Sequence, residues 1–430
     1  MASNKRTPRA FWNELAADGA MAWRNVFRHT KRTLITAGAL AIGLMSYLAM
    51  DSLLKGMSVD SERNLMWYET GAVQVIDTEY LEERNERSLD HLVEQSEQIE
   101  AALQAAGYAT APRTVFAADL IVFRDPYPED GSLPVIAHAI DPERDGQVYR
   151  LSDRISQGRY LRPDRDEALI GSWLAEDIGA EPGFYLTLVT RTADGVFQTI
   201  DVEIVGIVDT PNPIVNRAAV YLPLQVAEYY LETDGAVAEI AIDGPTGGNL
   251  RHLKGNVAQI VAGFPGVTVV DWRELAPELV AAQQGDVVGS VVILGLVFII
   301  AAVGVGNTML MATMERTREL GTLRALGMNR WQILRMLLLE AGGVGLIGAV
   351  VGLVLGGAAV AALVYIGIDY GDLLRDANVG YRMTQIVRGA WNLTAFAVSV
   401  VAGVAIAMTT ALVPALRTTR VEVASALRDQ

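Results

Sequence analysis

Apolar and polar positions are segregated into blocks along this chain. Four apolar runs, residues 33–54, 287–312, 336–368 and 393–416, are each long enough to cross a bilayer, which takes about 20 residues of helix. Between the first and second run the pattern changes to short alternating segments. Strands are predicted at 71–76, 133–140, 168–171, 185–190, 198–208, 219–222, 237–242 and 267–270, and helices at 89–106, 173–178 and 249–262. Strands and helices interleave, so the fold class is an α-helical membrane protein with four transmembrane helices plus a large α+β extracytoplasmic domain. Turn signals crowd residues 141–220, and two subdomains are expected, the outer one a β-rich insertion over that range.

The joints carry their own signals. Asp271 followed by Glu274 is a capping-box arrangement, and the helix it opens is expected to run unbroken to about Gly304. The first apolar helix is expected to continue past the bilayer through Met57 to Tyr68. The resulting organisation is a basic amphipathic segment (1–32) with Trp23 as an interfacial anchor, first span and stalk (33–70), outer domain (71–270), and second stalk and span (271–314). A charged segment (315–335), third span (336–368), outer loop (369–392), fourth span (393–416) and tail (417–430) follow. The first apolar run follows about thirty polar residues and is too long for a signal-peptide core, so it is expected to stay as an anchor.

Charge fixes the expected orientation. The chain as a whole has a net charge of −15. Residues 1–32, 315–335 and 417–430 together hold fifteen basic and six acidic residues, leaving twenty basic and forty-four acidic elsewhere. The basic segments should therefore face the cytoplasm, with both termini inside and the acidic domain outside.

Among these segments the run 314–327 is the most informative. Leu320, Leu323 and Leu326/Gly327 fall on one side at helical spacing, while Glu315, Arg316, Arg318, Glu319 and Arg324 take the rest. Such a helix lies at a membrane surface or docks on a soluble protein. Asn329 is placed to cap the helix that follows, with Trp331 and Arg335 at the interface. In the third span, Gly348, Gly352 and Gly356 suit backbone-to-backbone packing within one molecule. Glu340, an ionisable group at membrane depth, is expected to pair with an arginine of the charged segment.

Familiar chemistry is missing. There is no cysteine, hence no thiolate metal site or Cys nucleophile, and the four histidines (29, 91, 138, 252) lie in unrelated elements. No G-x-x-x-x-G-K-[ST], G-x-S-x-G or H-E-x-x-H motif occurs. No catalytic or metal site, and no cofactor in this chain, is expected; nor is a nucleic-acid partner.

The sequence Glu315-Arg316-Thr317-Arg318-Glu319-Leu320-Gly321-Thr322-Leu323-Arg324-Ala325-Leu326-Gly327, with Arg330, Trp331, Ile333 and Glu340 beyond it, resembles the signature of FtsX/MacB/LolC-type permeases, the type VII ABC transporters. Pro414-Ala415-Leu416-Arg417 with Ala426-Leu427-Arg428 resembles their closing motif. Residues 168–183 and Val220-Tyr221-Leu222-Pro223-Leu224 resemble their extracytoplasmic core. The resemblance covers nearly the whole chain.

It implies a mechanotransmission permease of the bacterial inner membrane, itself no enzyme. It would be paired with a second, identical or paralogous, permease subunit and driven by a separate ABC-type ATPase dimer that binds ATP and Mg. Glu315, Arg316, Arg318, Glu319, Leu320, Gly321, Leu323, Arg324 and Gly327 would form the coupling helix seated on that ATPase. Length and the missing P-loop make the chain most similar to lipoprotein-releasing LolC/LolE subunits, which extract lipoproteins or lipids from the outer leaflet. An acyl-chain cavity would then be lined by Met45, Leu48, Met50, Val288, Val292 and Leu296, and an exposed loop at Pro211, Asn212, Pro213 and Ile214 would dock a periplasmic carrier. Two alternatives stay open: a regulatory permease activating a cell-wall hydrolase, disfavoured by the large outer domain, and a subunit of a tripartite efflux pump.

Overall fold

A computed structural model describes residues 30–370 and 386–419, apart from Asn85 and residues 245–248, together with Gly19, Met21, Arg24 and Arg28. The expected interfacial anchor Trp23, most of the 369–392 loop and the closing motif at 426–428 lie outside the described residues. Contacts divide the chain into two units. One comprises residues 1–56, 284–368 and 388–430; the other comprises residues 57–283 with 369–387.

Among the described residues of the chain, four helices are long and apolar enough to cross a membrane: Thr33–Thr70, Pro277–Met311, Arg330–Tyr365 and Leu393–Arg417. Within the first unit their packing is set by small residues. A Cβ on Gly348 would lie 2.9 Å from Leu40 Cδ2 and 3.0 Å from the Ala37 carbonyl oxygen, and one on Gly352 would lie 3.1 Å from Leu44 Cβ. The glycine stripe of the third span is thus the seat of the first span, inside one molecule as expected, because bare backbones gain dispersion contacts that side chains would block. Gly345 serves the fourth span similarly, its notional Cβ 2.7 Å from Ala407 Cβ. The first and second spans meet where Thr36 Oγ1 and Thr308 Oγ1 share a hydrogen bond of 2.9 Å.

The second unit is built on one ten-stranded sheet. Its strands are β1 (Val73–Asp77), β2 (Thr110–Val122), β3 (Gly131–Ile140), β4 (Ile155–Gly158), β5 (Glu167–Gly171), β6 (Tyr185–Arg191), β7 (Phe197–Val208), β8 (Ala219–Pro223), β9 (Glu239–Ile242) and β10 (Val267–Asp271). The path runs β10-β1-β9-β2-β3-β8-β5-β7-β4, and β6 bridges β2 and β7. The pairs β2–β3, β3–β8, β8–β5, β5–β7, β7–β6 and β6–β2 therefore close a ring. Phe116, Leu120, Ala137, Ile170, Leu188 and Ile200 belong to the core of that ring. A second core gathers Val73, Val75, Ile99, Leu103, Ile240 and Val257, beneath helices Ser96–Ala105 and Leu250–Val261.

Two cores thus share one sheet, which corrects the expected β-rich insertion at 141–220. The β-rich part also takes β2, β3 and most of β8, because β2 is long enough to pair with β9 at its start and with β3 and β6 further on. That thirteen-residue strand was hidden in the sequence by Pro112 and by burial on both faces, which removes the alternation of a half-buried strand. The helix expected over 89–106 begins only at Ser96, since Val93 bridges to Val237 instead. The capping box at Asp271 and Glu274 forms, but the helix it opens stops at Leu275. Ala276 leaves the helical region and Pro277, with no N–H to continue the ladder, starts a new helix that passes Gly304 and ends at Glu315. The first helix ends at Leu65, and a π-turn, Met66–Thr70, carries the chain to Gly71. Leu65 and Met66 pack there with Trp272, Ala276 and Leu279.

Candidate functional site

The charged segment folds as the helix Thr317–Ala325, separated from the second-span helix by a break at Arg316. Its apolar side is short. Leu320 is buried among Val305, Met309, Ile333, Leu337, Ala411 and Ala415, and Gly321 is buried beside it. The helix thereby rests on three spans, with Leu323 half-buried at the edge. Leu326 does not join this face as its spacing suggested, and is 79% exposed. The chain leaves helical geometry at Leu326 and turns through Gly327 at φ +103, a conformation open to glycine, so the 3.6-residue period ends first.

An ion pair fastens the other end. The Arg316 guanidinium donates from Nε to Glu319 Oε2 at 2.9 Å and stands 3.4 Å from Glu340 Oε2. Glu340 is buried in the third-span helix, so the expected arginine partner is Arg316. Arg28 Nη1 reaches Glu319 Oε1 at 3.4 Å. Asn329 accepts from the N–H groups of Trp331 and Gln332, and Gln332 returns the bond, which starts the third helix immediately after the turn.

The nine candidate coupling residues therefore divide. Arg316, Leu320, Gly321 and part of Leu323 face the spans and hold the helix. Glu315, Arg318, Glu319 and Gly327 are exposed and Arg324 is half-buried. The surface the helix offers to a partner is Arg318, Thr322, Ala325 and Leu326, charged at one side and apolar at its end.

The candidate cavity residues also divide. Val288, Val292 and Leu296 are exposed on the second span, Met50 is exposed and Met45 half-buried on the first. Leu48 is a correction: it is buried against Gly356, with Tyr47 and Val360 in the same cluster. The expected exposed loop is a second correction. Asn212 is fully buried, caps the helix Pro213–Ala218 through Ile214 N–H, and donates to Glu69 Oε2 at 2.8 Å. Asn216 ties the same turn to Thr210, so of the four named residues only Ile214 is exposed. A polar Asn in a Pro-rich turn reads as surface, yet here its amide satisfies buried groups.

Sequence reasoning missed a polar row across one face of the sheet. Arg113 is wholly buried, 2.7 Å from Asp145 and 3.2 Å above the Tyr149 ring centroid. Glu239 lies opposite Arg113 on β9, and His138 stacks on Tyr221 at 5.0 Å. Burial pushes the Glu239 carboxyl up to about 6 against the opposing pull of Arg84 and Arg113. Burial, then Arg113 and Arg87, hold the His138 imidazole well below its ordinary range. The readable signal was charged residues inside β-branched and aromatic runs, at 113 and 239.

With that geometry in hand, comparison with known proteins decides the family. A model of the MacB-like periplasmic core domain matches residues 33–260, and one of the FtsX-like permease C-terminal matches residues 291–423. The chain belongs to the FtsX/MacB-type ABC transporter permeases. The permease is similar to the lipoprotein-releasing system transmembrane protein LolC of Neisseria meningitidis, 23% identical over 335 residues, covering 75% of this chain and 76% of LolC. It is similar also to the ABC transporter permease MJ1507 of Methanocaldococcus jannaschii, 27% identical over 222 residues, 50% of this chain and 54% of that one. The match thus spans about half of the archaeal relative's length. The crystal structure of the periplasmic region of MacB from Actinobacillus actinomycetemcomitans aligns at 13% identity and a TM-score of 0.34, covering 46% of this permease and 88% of that chain. The permease therefore combines four candidate membrane helices with a periplasmic MacB-like α+β domain.

Proposed function

We propose that this permease, in the bacterial inner membrane with both termini in the cytoplasm, couples ATP hydrolysis by a separate ABC-type ATPase dimer to movement of its periplasmic domain. The carrying observation is the helix Thr317–Ala325: clamped on the spans by Leu320 and the Arg316–Glu340 pair, it leaves Arg318 and Leu326 outward. A clamped helix transmits a push from its outer face into the spans, whereas a loose one would absorb it. ATP and Mg would be held by the partner, consistent with a sequence that carries no P-loop.

The cargo proposed is a lipoprotein or lipid taken from the outer leaflet, a reading supported by the likeness to LolC over three quarters of this chain. A second permease subunit covering Met50, Val288, Val292 and Leu296 would turn exposed apolar residues into an acyl-chain chamber. The match to the MacB-like periplasmic core favours a second reading, a subunit of a tripartite efflux pump.

The test is Arg318→Glu in the assembled complex. Cargo-stimulated ATPase activity should fall at least about tenfold while thermal stability is unchanged; unaltered stimulation would sink the coupling role. Mass spectrometry of what co-purifies, an acylated protein or a small amphiphile, separates the two cargo readings.

A further inference from the structure

A cavity of about 300 Å³ lies within the periplasmic domain. The polar row of the sheet forms one wall, through His138 and Glu239. Glu69 and Glu278 come from the segments by which the chain enters and leaves the domain, and Arg84 and Arg87 from the turn after helix Thr78–Glu83. Val115, Ile136 and Leu275 supply apolar surface. A partly apolar recess with a few convergent polar groups is the ordinary form of a small-molecule site.

Two of those polar groups are left over by the protein. Glu239 is 3% exposed and His138 7% exposed, yet Glu239 Oε1 and His138 Nδ1 have no hydrogen-bond partner among the described residues. Buried polar atoms in that state are rare, because each forfeits its bonds to water. Their neighbours are already committed. Arg84 Nη1 donates to the Leu275 carbonyl at 2.7 Å, and Glu69 Oε2 accepts from Asn212. Arg87 is half-buried and, among the described residues, makes no ion pair. What the cavity offers is therefore one free carboxylate oxygen, one free imidazole nitrogen and one guanidinium, beside apolar walls.

We propose that this cavity binds a small zwitterion of amino-acid size, its ammonium group donating to Glu239 Oε1 and His138 Nδ1 and its carboxylate facing Arg87. The ammonium supplies the counter-charge that a buried carboxylate requires, and the guanidinium suits a carboxylate by geometry as well as charge. The apolar walls take the side chain.

The experiment uses the full-length permease in nanodiscs, titrated calorimetrically with each common free L-amino acid in turn. At least one is expected to bind, and its decarboxylated amine and N-acetyl derivative to bind at least about tenfold more weakly. Glu239→Gln and Arg87→Ala should each weaken the binder by about tenfold, with the melting temperature of neither variant lowered. Arg87 is half-buried, so its variant keeps the test decisive even where a change at Glu239 disturbs folding. Failure of every amino acid to bind the folded permease would overturn the proposal. So would binding indifferent to both variants, or a map of the soaked protein with only ordered water in the cavity.

Discussion

Arg316 Nη1 stands 3.4 Å from Glu340 Oε2, twenty-four positions further along the chain, and the whole basic helix lies between them. Both side chains are mostly withdrawn from solvent, at 13% and 6% exposure. The pair is a clasp: it closes the loop formed by the second-span end, the basic helix and the third span.

Removing one side of the clasp weakens the hold on the other. Glu340→Ala is expected to lower the stability of the membrane unit by roughly 1–3 kcal/mol, because it leaves the mostly buried Arg316 with only the exposed Glu319 as counter-charge. The double exchange R316E/E340R should restore part of the loss. Thermal unfolding in nanodiscs measures both, and a single variant as stable as wild type would show that the pair is ornamental.

The glycine contacts grade the spans. Gly345→Ala places a methyl 2.7 Å from Ala407 Cβ and 2.9 Å from the Gly403 carbonyl, neither of which can swing aside. Gly357→Ala meets only Phe396 at 3.8 Å. The first is expected to cost about 1–3 kcal/mol and the second to be near neutral. Equal melting temperatures for the two variants would contradict the close packing of the third and fourth spans.

In the periplasmic domain the buried Arg113–Asp145 pair predicts an asymmetry. Asp145→Ala should destabilise the domain by about 3–5 kcal/mol, since the guanidinium left behind has no access to water. The double variant R113M/D145L, apolar and of similar bulk, should cost distinctly less. Hydrogen exchange of β2 and β9 in the intact permease reads the difference, and a double variant as unstable as the single would refute it.

Glu239 gives a pH dependence with a definite sign. Burial raises its carboxyl to about 6, above the unfolded value, with Arg84, Arg113, Gln74 and Glu69 as the surrounding polar groups. The folded state thus binds the proton more tightly, so the stabilisation is complete below the unfolded value and lost as pH rises through about 6. Glu239→Gln should therefore unfold at a higher temperature than wild type at pH 8, by roughly 1–2 kcal/mol in free energy, and at the same temperature at pH 4. A gain at acid pH instead would reverse the assignment.

Much of this molecule was legible in one dimension. The spans, the capping box at Asp271, the cap at Asn329, and an arginine partner for Glu340 all follow from local pattern and the cost of an isolated charge at membrane depth. The misreadings share a cause. β2, the buried Asn212 and the inward turn of Leu48 depend on neighbours far away in sequence: β9 and β6 for the strand, Glu69 for the asparagine, Gly356 for the leucine.

The sequence by itself determined the number of spans, the α+β class of the domain, and the position and charge of the basic helix. These are set by runs and periods of apolar residues, which act within one element. Tertiary structure alone decided that the two cores share a sheet, which side of the basic helix is clamped and which is offered, and that the polar atoms at 138 and 239 meet over one cavity. Register and burial arise from pairings between segments tens to hundreds of residues apart, and no local period encodes them.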